Sequence, residues 1–314
     1  MRTKQEQNKV RRRLLYLWFP HFSIERHKRI EIDKIEKQDD FSGIIIIQDR
    51  AGRRVVIASC PLAFQMGVAV GLSLEDALAA CPSLLVFEAD LIADQLAIET
   101  LARWCGRYTP LVSIDKANKG LGNAGIWLDI TGCAHLFGGE ADLLNDIIAR
   151  LTAINWTAFG AISDTPGSAW AVARFSGGVT QLIAPGEQQA ALSELPLSAL
   201  RLPKNTVGDL SKVGLRKISQ LMLVPRAPLR ARFGKNIRLR LDQALGIEKE
   251  TVSPQTLHSP YLARLVLLEP ISNSETIKQI LGHLLPQVIE MLVTRSLGIR
   301  PVSYTHLTLP TTLQ

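Results

Sequence analysis

Short apolar runs and longer stretches of helical spacing alternate along the chain, which predicts a fold of mixed strands and helices. The short runs are bounded by proline, glycine or charged residues, as is typical of buried strands. They lie at 13–20, 44–48, 54–58, the two ends of 111–133, 156–162 and 262–268. Helical spacing occurs at 22–29, 62–66, 73–82, 91–108, 143–151, from 166 onward and at 277–292. This order indicates an α+β fold in which helices pack on a mostly antiparallel sheet.

The segment 111–133 combines this strand pattern with candidate chemistry. Its two apolar parts each carry one aspartate, Asp115 and Asp129, and a turn rich in Gly, Asn and Lys separates them. This pattern predicts a β-hairpin. Two carboxylates on adjoining strands are suited to hold a divalent metal for phosphoryl chemistry. Lys116 directly follows the first aspartate and would repel such a metal.

Two helix starts are predicted by their capping residues. Ser73 is suited to be an N-cap with Asp76 three residues later, and Thr165 precedes Pro166, which is favoured at the first helical position. Within 91–108 four apolar residues share one face, which indicates core packing rather than a base-stacking platform. They are Leu101, Trp104, Cys105 and Tyr108.

Glycine and proline residues near 176–196 interrupt regular secondary structure and predict a domain boundary, after which the chain becomes helical and basic. Helices are expected at 197–202, 206–213 and 217–223, with Pro203 and Lys204 in the first turn. This layout is similar to a helix–hairpin–helix element, which holds phosphate on backbone N–H groups. Pro203 removes one such donor, which weakens the phosphate-binding interpretation.

Composition and charge narrow the class of protein. The chain has 46% hydrophobic and 21% charged residues, which is typical of globular proteins, and no run has the length of a membrane span. The four cysteines lack CxxC spacing, so neither a zinc site nor a disulfide framework is indicated. Reduced thiols favour a cytoplasmic location.

The net charge of +7 is concentrated in 201–250, where 12 Lys and Arg face four Asp and Glu. Such a segment is typical of a nucleic-acid binder, whose contacts we expect on the backbone without sequence preference. The alternative is a solvated helical surface. The candidate DNA-binding residues are Lys204, Lys212, Arg216, Lys217, Arg230, Arg232 and Lys235.

Several motifs together resemble the Y-family, or translesion, DNA polymerases over roughly 13–300. Ser113-Ile-Asp115 followed by Trp127-Leu-Asp-Ile-Thr131 resembles the palm motif, in which Ser-x-Asp-Glu precedes Leu-Asp-Val/Ile-Thr. Arg54-Val-Val-Ile-Ala-Ser and the segment 67–82 resemble the fingers. The greatest similarity is to degenerate, polymerase-like members found in bacterial mutagenesis cassettes. It rests on the motifs at 15–20, 104–110, 129–139 and 164–171.

The resemblance implies a polymerase-like architecture. A palm would occupy 14–185, with small fingers inserted at about 31–90. A helical, helix–hairpin–helix-like thumb would follow at 186–250 and a truncated little-finger domain at 251–302. A basic arm at 1–13, expected to be disordered, and a tail at 303–314 that looks foreign to the fold complete the predicted organisation.

The resemblance also implies that the polymerase site is degenerate. The two-metal mechanism needs a carboxylate from the first strand and two from the Ser-x-Asp-Glu motif. These positions align with Leu17, Asp115 and Lys116, which leaves one carboxylate and suggests a surface ion pair between Asp115 and Lys116. The nucleotide-binding positions align with Pro61, Phe64 and Trp170. We therefore expect no catalytic residues, no bound metal and no cofactor, with Asp129 orienting the turn at Thr131–Gly132.

The function implied is that of a non-catalytic adaptor in DNA damage-induced (SOS) mutagenesis and translesion synthesis. It would bind DNA and recruit an error-prone polymerase, an accessory protein of the same cassette and a sliding clamp. Two alternatives stay open. One is an active low-fidelity polymerase that uses Asp115 and Asp129, and the other is a DNA-binding module without partners.

Overall fold

The computed structural model describes residues 11–30, 43–253, 263–267 and 273–294. The chain divides into two compact units, 1–257 and 258–314. The predicted tail at 303–314 lies outside the described residues, as do residues 1–10 of the predicted arm.

Eight strands occur in the described part of the chain. They are β1 (Leu14–Phe19), β2 (Gly43–Arg50), β3 (Arg53–Ser59), β4 (Leu84–Glu88), β5 (Val112–Ile114), β6 (Ala124–Asp129), β7 (Phe159–Ser163) and β8 (Gln181–Leu182). A five-stranded sheet has the order β5-β6-β1-β7-β8, and a three-stranded sheet has the order β3-β2-β4. β5 and β6 pair antiparallel, so the predicted hairpin is confirmed.

The α-helices of the same residues follow in chain order. They are α1 (Phe22–Ile30), α2 (Pro61–Gln65), α3 (Leu74–Ala80), α4 (Leu91–Cys105), α5 (Glu140–Ala153), α6 (Pro166–Phe175), α7 (Gln188–Ser193), α8 (Lys204–Lys212), α9 (Ile218–Leu223), α10 (Arg226–Phe233), α11 (Lys235–Leu245) and α12 (Ser274–Val293). None of them is both long and apolar enough to cross a bilayer.

The capping predictions are confirmed. The Ser73 hydroxyl accepts a hydrogen bond from the Asp76 backbone N–H at 3.1 Å and begins α3. Thr165 caps α6 through the Ser168 N–H at 3.1 Å, and Pro166 is its first residue. These short-range signals worked because the capping hydroxyl and the N–H that donates to it lie within one turn of each other.

The five-stranded sheet separates two cores, because successive side chains of a strand point to opposite faces. One face packs against α4 and α5, through Leu15 and Leu17 of β1. The other carries Tyr16 and Trp127 and packs against α6 and the helices that follow it. The predicted core stripe of α4 belongs to the first face, with Leu101, Cys105 and Tyr108 buried.

The smaller sheet has its own core, built on the apolar run of β2. Ile44, Ile45 and Ile46 are fully buried there. β2 is central and pairs antiparallel with β3 and parallel with β4. A strand covered on both faces reads as a continuous apolar run, which is why the alternation expected of a half-exposed strand is missing.

Three sequence predictions need correction. The predicted helix at 197–202 is a 3-10 turn, Leu197–Leu200, ended by Arg201 in the left-handed conformation with φ 56°. The predicted strand at 262–268 is absent from its described part, 263–267, since an apolar run alone does not supply a hydrogen-bonded neighbour. The helix predicted at 277–292 is confirmed within α12, which begins three residues earlier.

The third correction concerns the end of the predicted basic arm. Arg13 is only 7% exposed, and its guanidinium bridges Glu140 at 2.5 Å and Asp164 at 2.7 Å. Its backbone N–H donates to the Thr131 hydroxyl at 2.9 Å, and its carbonyl accepts from the Ile130 N–H at 3.0 Å, which extends the pairing of β1 with β6. Burial alone would lower the pKa of Arg13, but hydrogen bonds and charge from Glu140 and Asp164 outweigh it and raise the pKa. Arg13 therefore joins β1 to α5 and to the start of α6.

Candidate functional site

Asp115 follows β5 directly and is surrounded by hydrogen-bond donors. Its Oδ1 accepts from the backbone N–H of Ala117 at 3.1 Å. Its Oδ2 accepts from the Tyr16 hydroxyl at 2.8 Å and the Asn118 amide at 3.0 Å. The Trp170 indole N–H donates to the same oxygen at 3.2 Å. Three donors thus converge on Oδ2, and one reaches Oδ1.

The Tyr16 hydroxyl reaches Asp115 because residue 125 has no side chain. A Cβ at Gly125 would lie 2.1 Å from the Tyr16 Oη. Tyr16 is fully buried, and burial, followed by the charge of Asp115, raises its pKa far above the usual range. The phenol therefore stays protonated and donates to the carboxylate.

A guanidinium closes the same network from the side of α6. Arg174 donates from Nη1 to the Asn118 Oδ1 at 2.7 Å. It also lies 4.7 Å from the ring centroid of Trp170 and 5.1 Å from that of Trp18. The surroundings of Asp115 thus contain a fixed cation and two indole rings.

The residue expected at the first-strand carboxylate position lies on the other face of the sheet. Leu17 pairs with Ile126 and is buried in the core against α4 and α5. Trp18 pairs with Gly125, and Tyr16 touches the carboxylate itself, so these two share the face of Asp115. Strand alternation thus corrects the expected position by one residue, from Leu17 to Tyr16 or Trp18, and neither is a carboxylate.

Lys116 and Asp115 do not form the expected ion pair. Lys116 is exposed, and the Asp115 oxygens are instead held by the donors described above. The Asp115 carboxylate instead caps the 3-10 turn Lys116–Asn118 by accepting from the Ala117 N–H.

Asp129 orients a turn, as expected from the sequence. Its Oδ1 accepts from the Thr131 N–H at 3.2 Å, and its Oδ2 contacts the Arg12 guanidinium at 2.9 Å. Asp129 stands four residues along β6 from Gly125, which is about 13 Å. The two aspartates therefore lie at opposite ends of the strand. Among the described residues no three His, Cys, Asp or Glu side chains gather as metal ligands would.

The positions aligned with nucleotide-binding residues carry no charge. Pro61 is the first residue of α2, and Phe64 on the same helix is 64% exposed. Trp170 is 8% exposed and holds Asp115 through its indole N–H. These three residues are not brought together at one point, since Trp170 belongs to the network of the large sheet.

The candidate DNA-binding residues fall into three groups. Lys212 and Lys217 are exposed but pair with acids, Asp209 at 2.9 Å and Glu194 at 2.6 Å. The side chain of Arg230 lies outside the described part of the structure, although its backbone belongs to α10. The others are exposed and form no ion pair with a described residue: Lys204, Arg216, Arg232 and Lys235.

Sequence reasoning missed the partners of Asp115. Tyr16 and Trp170 come from segments far from Asp115, and nothing local in the sequence marks them as its neighbours, whereas Asn118 stands only three residues away. The one available indication was the alternation of β1, which places Tyr16 and Trp127 on the same face.

Comparisons with known proteins agree with this architecture. The model of the impB/mucB/samB family matches residues 37–174. Protein ImuB of Caulobacter vibrioides is 41% identical over 233 residues, which are 74% of this chain and 49% of the relative. DNA polymerase IV of Serratia proteamaculans is 29% identical over 239 residues, covering 74% of this chain and 65% of the relative. The chain thus spans about half the length of the ImuB relatives it matches.

Solved structures show the same fold at low sequence identity. DinB from Sulfolobus solfataricus superposes with a TM-score of 0.63 at 15% identity, over 76% of this chain and 69% of that one. The insertion ternary complex of Dbh DNA polymerase gives 0.63 at 16% identity, with the same coverage. The chain therefore has a segment, residues 37–174, that matches the impB/mucB/samB family model, its sequence is similar to that of ImuB, and its fold is similar to that of these solved polymerases.

Proposed function

We propose that this chain is a non-catalytic, polymerase-like adaptor that binds DNA in damage-induced mutagenesis. The observation that carries the proposal is the state of Asp115, the one carboxylate left at the palm site. Its oxygens are taken by Tyr16, Asn118, Trp170 and a backbone N–H. A metal held by both oxygens would have to displace the three donors on Oδ2, and Lys116 offers no second carboxylate. Catalytic groups that act together fail together when one is lost.

The partners of this adaptor follow from the similarity to ImuB. They are an ImuA-like accessory protein, an ImuC-type error-prone polymerase and a sliding clamp. The chain covers 49% of the ImuB relative, so the recruitment of these partners is proposed for the whole protein and not for this chain alone. Pull-down with the purified partners separates this adaptor from a DNA-binding module that acts alone, which would retain DNA but none of the three.

The alternative of an active low-fidelity polymerase is disfavoured by the spacing of its two carboxylates. A two-metal centre places its ions roughly 3.5–4 Å apart, bridged by shared ligands. Asp115 and Asp129 lie about 13 Å apart along β6. Asp129 is also occupied by Arg12 and by the N–H of Thr131.

Primer extension tests the absence of chemistry. With purified protein, a primed template and Mg²⁺ or Mn²⁺, we expect no template-dependent incorporation, while a DNA polymerase IV assayed in parallel extends the primer. Incorporation that disappears in a folded Asp115→Asn variant would refute the proposal, and its loss in Asp129→Asn would support the active alternative.

DNA binding by the basic helices is tested by charge reversal. Arg232→Glu with Lys235→Glu is expected to weaken duplex binding and to flatten the slope of log affinity against log salt by about 1.8, because each lost phosphate contact removes roughly 0.9 from the slope. Fluorescence anisotropy over a salt series measures both quantities. Arg103→Glu, an exposed change on α4, is the control and should leave the slope as it was.

If the Arg232 and Lys235 variant keeps the wild-type slope, these helices are not the DNA contact. Different duplex sequences should bind alike, since contacts to the backbone carry no direct base information.

A further inference from the structure

Four exposed cations lie where the hairpin turn of the large sheet meets the tip of the small sheet. We call them the palm–finger cations, and they are Arg50, Arg53, Lys116 and Lys119. None of the basic residues proposed above to bind DNA belongs to this group. They come from two segments that are far apart in the sequence.

Lys116 and Lys119 stand on one side of the turn. The Lys119 N–H donates to the Lys116 carbonyl at 3.3 Å, which closes a 3-10 turn. Side chains three residues apart eclipse each other in this geometry. The two ammonium groups therefore project from the same side of the turn.

Arg50 and Arg53 flank the turn between β2 and β3. They are directly opposed in the antiparallel ladder and so share one face. Arg50 donates from Nη2 to the carbonyl of Gly120 at 3.4 Å, next to Lys119. This contact brings the arginine pair beside the lysine pair.

Close packing fixes the relative position of the two segments. Gly122 has φ 70°, and a Cβ there would lie 2.5 Å from the Cβ of Ala58 on β3. Its carbonyl accepts from the Ser23 N–H at 3.2 Å. The turn therefore packs against the small sheet without intervening side chains, which fixes the backbone positions from which the cations project.

The acids of this region are already engaged. Asp115 is held by its four donors, and Asp94 accepts from Arg26 at 2.5 Å and Ser23 at 2.6 Å. Asp49 accepts from the Gly52 N–H at 2.9 Å and lies on the opposite face of the ladder from Arg50. Among the described residues the palm–finger cations have no ion-pair partner, unlike the similarly exposed Lys217.

The surface beside the lysines is concave. A cavity of about 320 Å³ opens between the turn and α4, and Lys116 and Lys119 line it together with Asp94 and Asp115. Asp94 is already paired with Arg26, so positive charge is in excess there, and a concave surface with such an excess attracts a polyanion.

We propose that the palm–finger cations bind backbone phosphates of DNA directly, without a metal ion. This inference rests on the proposed DNA-binding function and adds a second contact to it. In the Ser-x-Asp-Glu motif position 116 is acidic, so a phosphate there requires a metal between two anions. Lys116 supplies the positive charge from the protein itself.

Salt-dependent binding in two buffers tests this inference. Anisotropy with a primed duplex is measured in EDTA and in Mg²⁺ for the wild type and for Lys116→Ala with Lys119→Ala. Wild-type binding in EDTA should be at least as tight as in Mg²⁺. The double variant should bind about tenfold more weakly, with a salt slope flatter by about 1.8, as two lost contacts predict. All of these side chains are exposed, so circular dichroism should show an unchanged fold.

Matched variants distinguish failure of this inference from failure of the proposed function. Arg103 lies near the end of α4, about 18 Å along the helix from its first residue, Leu91. Arg103→Ala should therefore change neither the affinity for DNA nor the salt slope. Lys116→Glu restores the acid of the motif and should weaken binding in EDTA more than Lys116→Ala does. If the lysine variant keeps the wild-type slope while Arg232→Glu with Lys235→Glu flattens it, the inference is overturned and the proposed function stands. If the wild type does not bind DNA at all, the proposed function itself fails.

Discussion

Replacement of Arg13 by alanine is expected to lower the free energy of unfolding by about 3–5 kcal/mol, the usual cost of removing one partner from a buried ion pair. Arg13 is 7% exposed and contacts two carboxylates, Glu140 and Asp164. It also donates to the carbonyl of Ile183 at 2.8 Å. Its loss leaves these acceptors in a poorly solvated place without their cation.

Chemical denaturation followed by circular dichroism measures this loss. The neighbouring Arg12→Ala is a matched control, because the Arg12 side chain is 41% exposed and Asp129 keeps its hydrogen bond from the Thr131 N–H when Arg12 is lost. We expect that control to change stability by less than about 1 kcal/mol. Equal effects of the two variants would contradict the role given to Arg13.

Replacement of Asp115 by alanine is expected to lower the free energy of unfolding by about 2–4 kcal/mol. The variant leaves the Tyr16 hydroxyl, the Trp170 indole N–H and the Asn118 amide without their common acceptor, and an unsatisfied buried donor costs roughly 1–3 kcal/mol. The total is less than the sum, because Tyr16 and Asn118 still bond to each other at 3.2 Å.

This prediction separates a structural carboxylate from a metal ligand. Carboxylates gathered for a metal repel one another when the metal is absent, so removing one from a metal-free palm is neutral or stabilising. A clear loss of stability in EDTA therefore indicates that Asp115 supports the fold. Lys116→Ala, the exposed neighbour, should stay within about 0.5 kcal/mol of the wild type, and a loss as large as that of Asp115→Ala would contradict the argument.

Much of the fold could be predicted from the sequence, because the patterns that predict caps and hairpins are local in the chain. The caps at Ser73 and Thr165 and the hairpin around Asp115 depend on residues close together in the chain. The replacement of a helix by a 3-10 turn at 197–200 was not predictable, since Arg201 adopts a backbone conformation that sequence patterns reserve for glycine.

Only part of the site could be predicted from the sequence, because the rest depends on strand register and on contacts between segments that are distant in the chain. Similarity of motifs identified Asp115 and the loss of the neighbouring acid at Lys116. It could not tell which face of β1 a given residue occupies, and a shift of one residue exchanges Leu17 for Trp18. The donors Tyr16 and Trp170 lie 99 and 55 positions from Asp115 in the chain, so only the folded structure brings them together.

The donors around Asp115 also determine how hard it would be to regain chemistry at this palm. A glutamate at 116 and a carboxylate on β1 would restore the lost ligands, yet Asp115 would still be bound by a phenol and an indole. Removing either donor first weakens the core without creating a metal site. For the proposed non-catalytic palm, each single step toward a catalytic one is therefore unfavourable or without benefit.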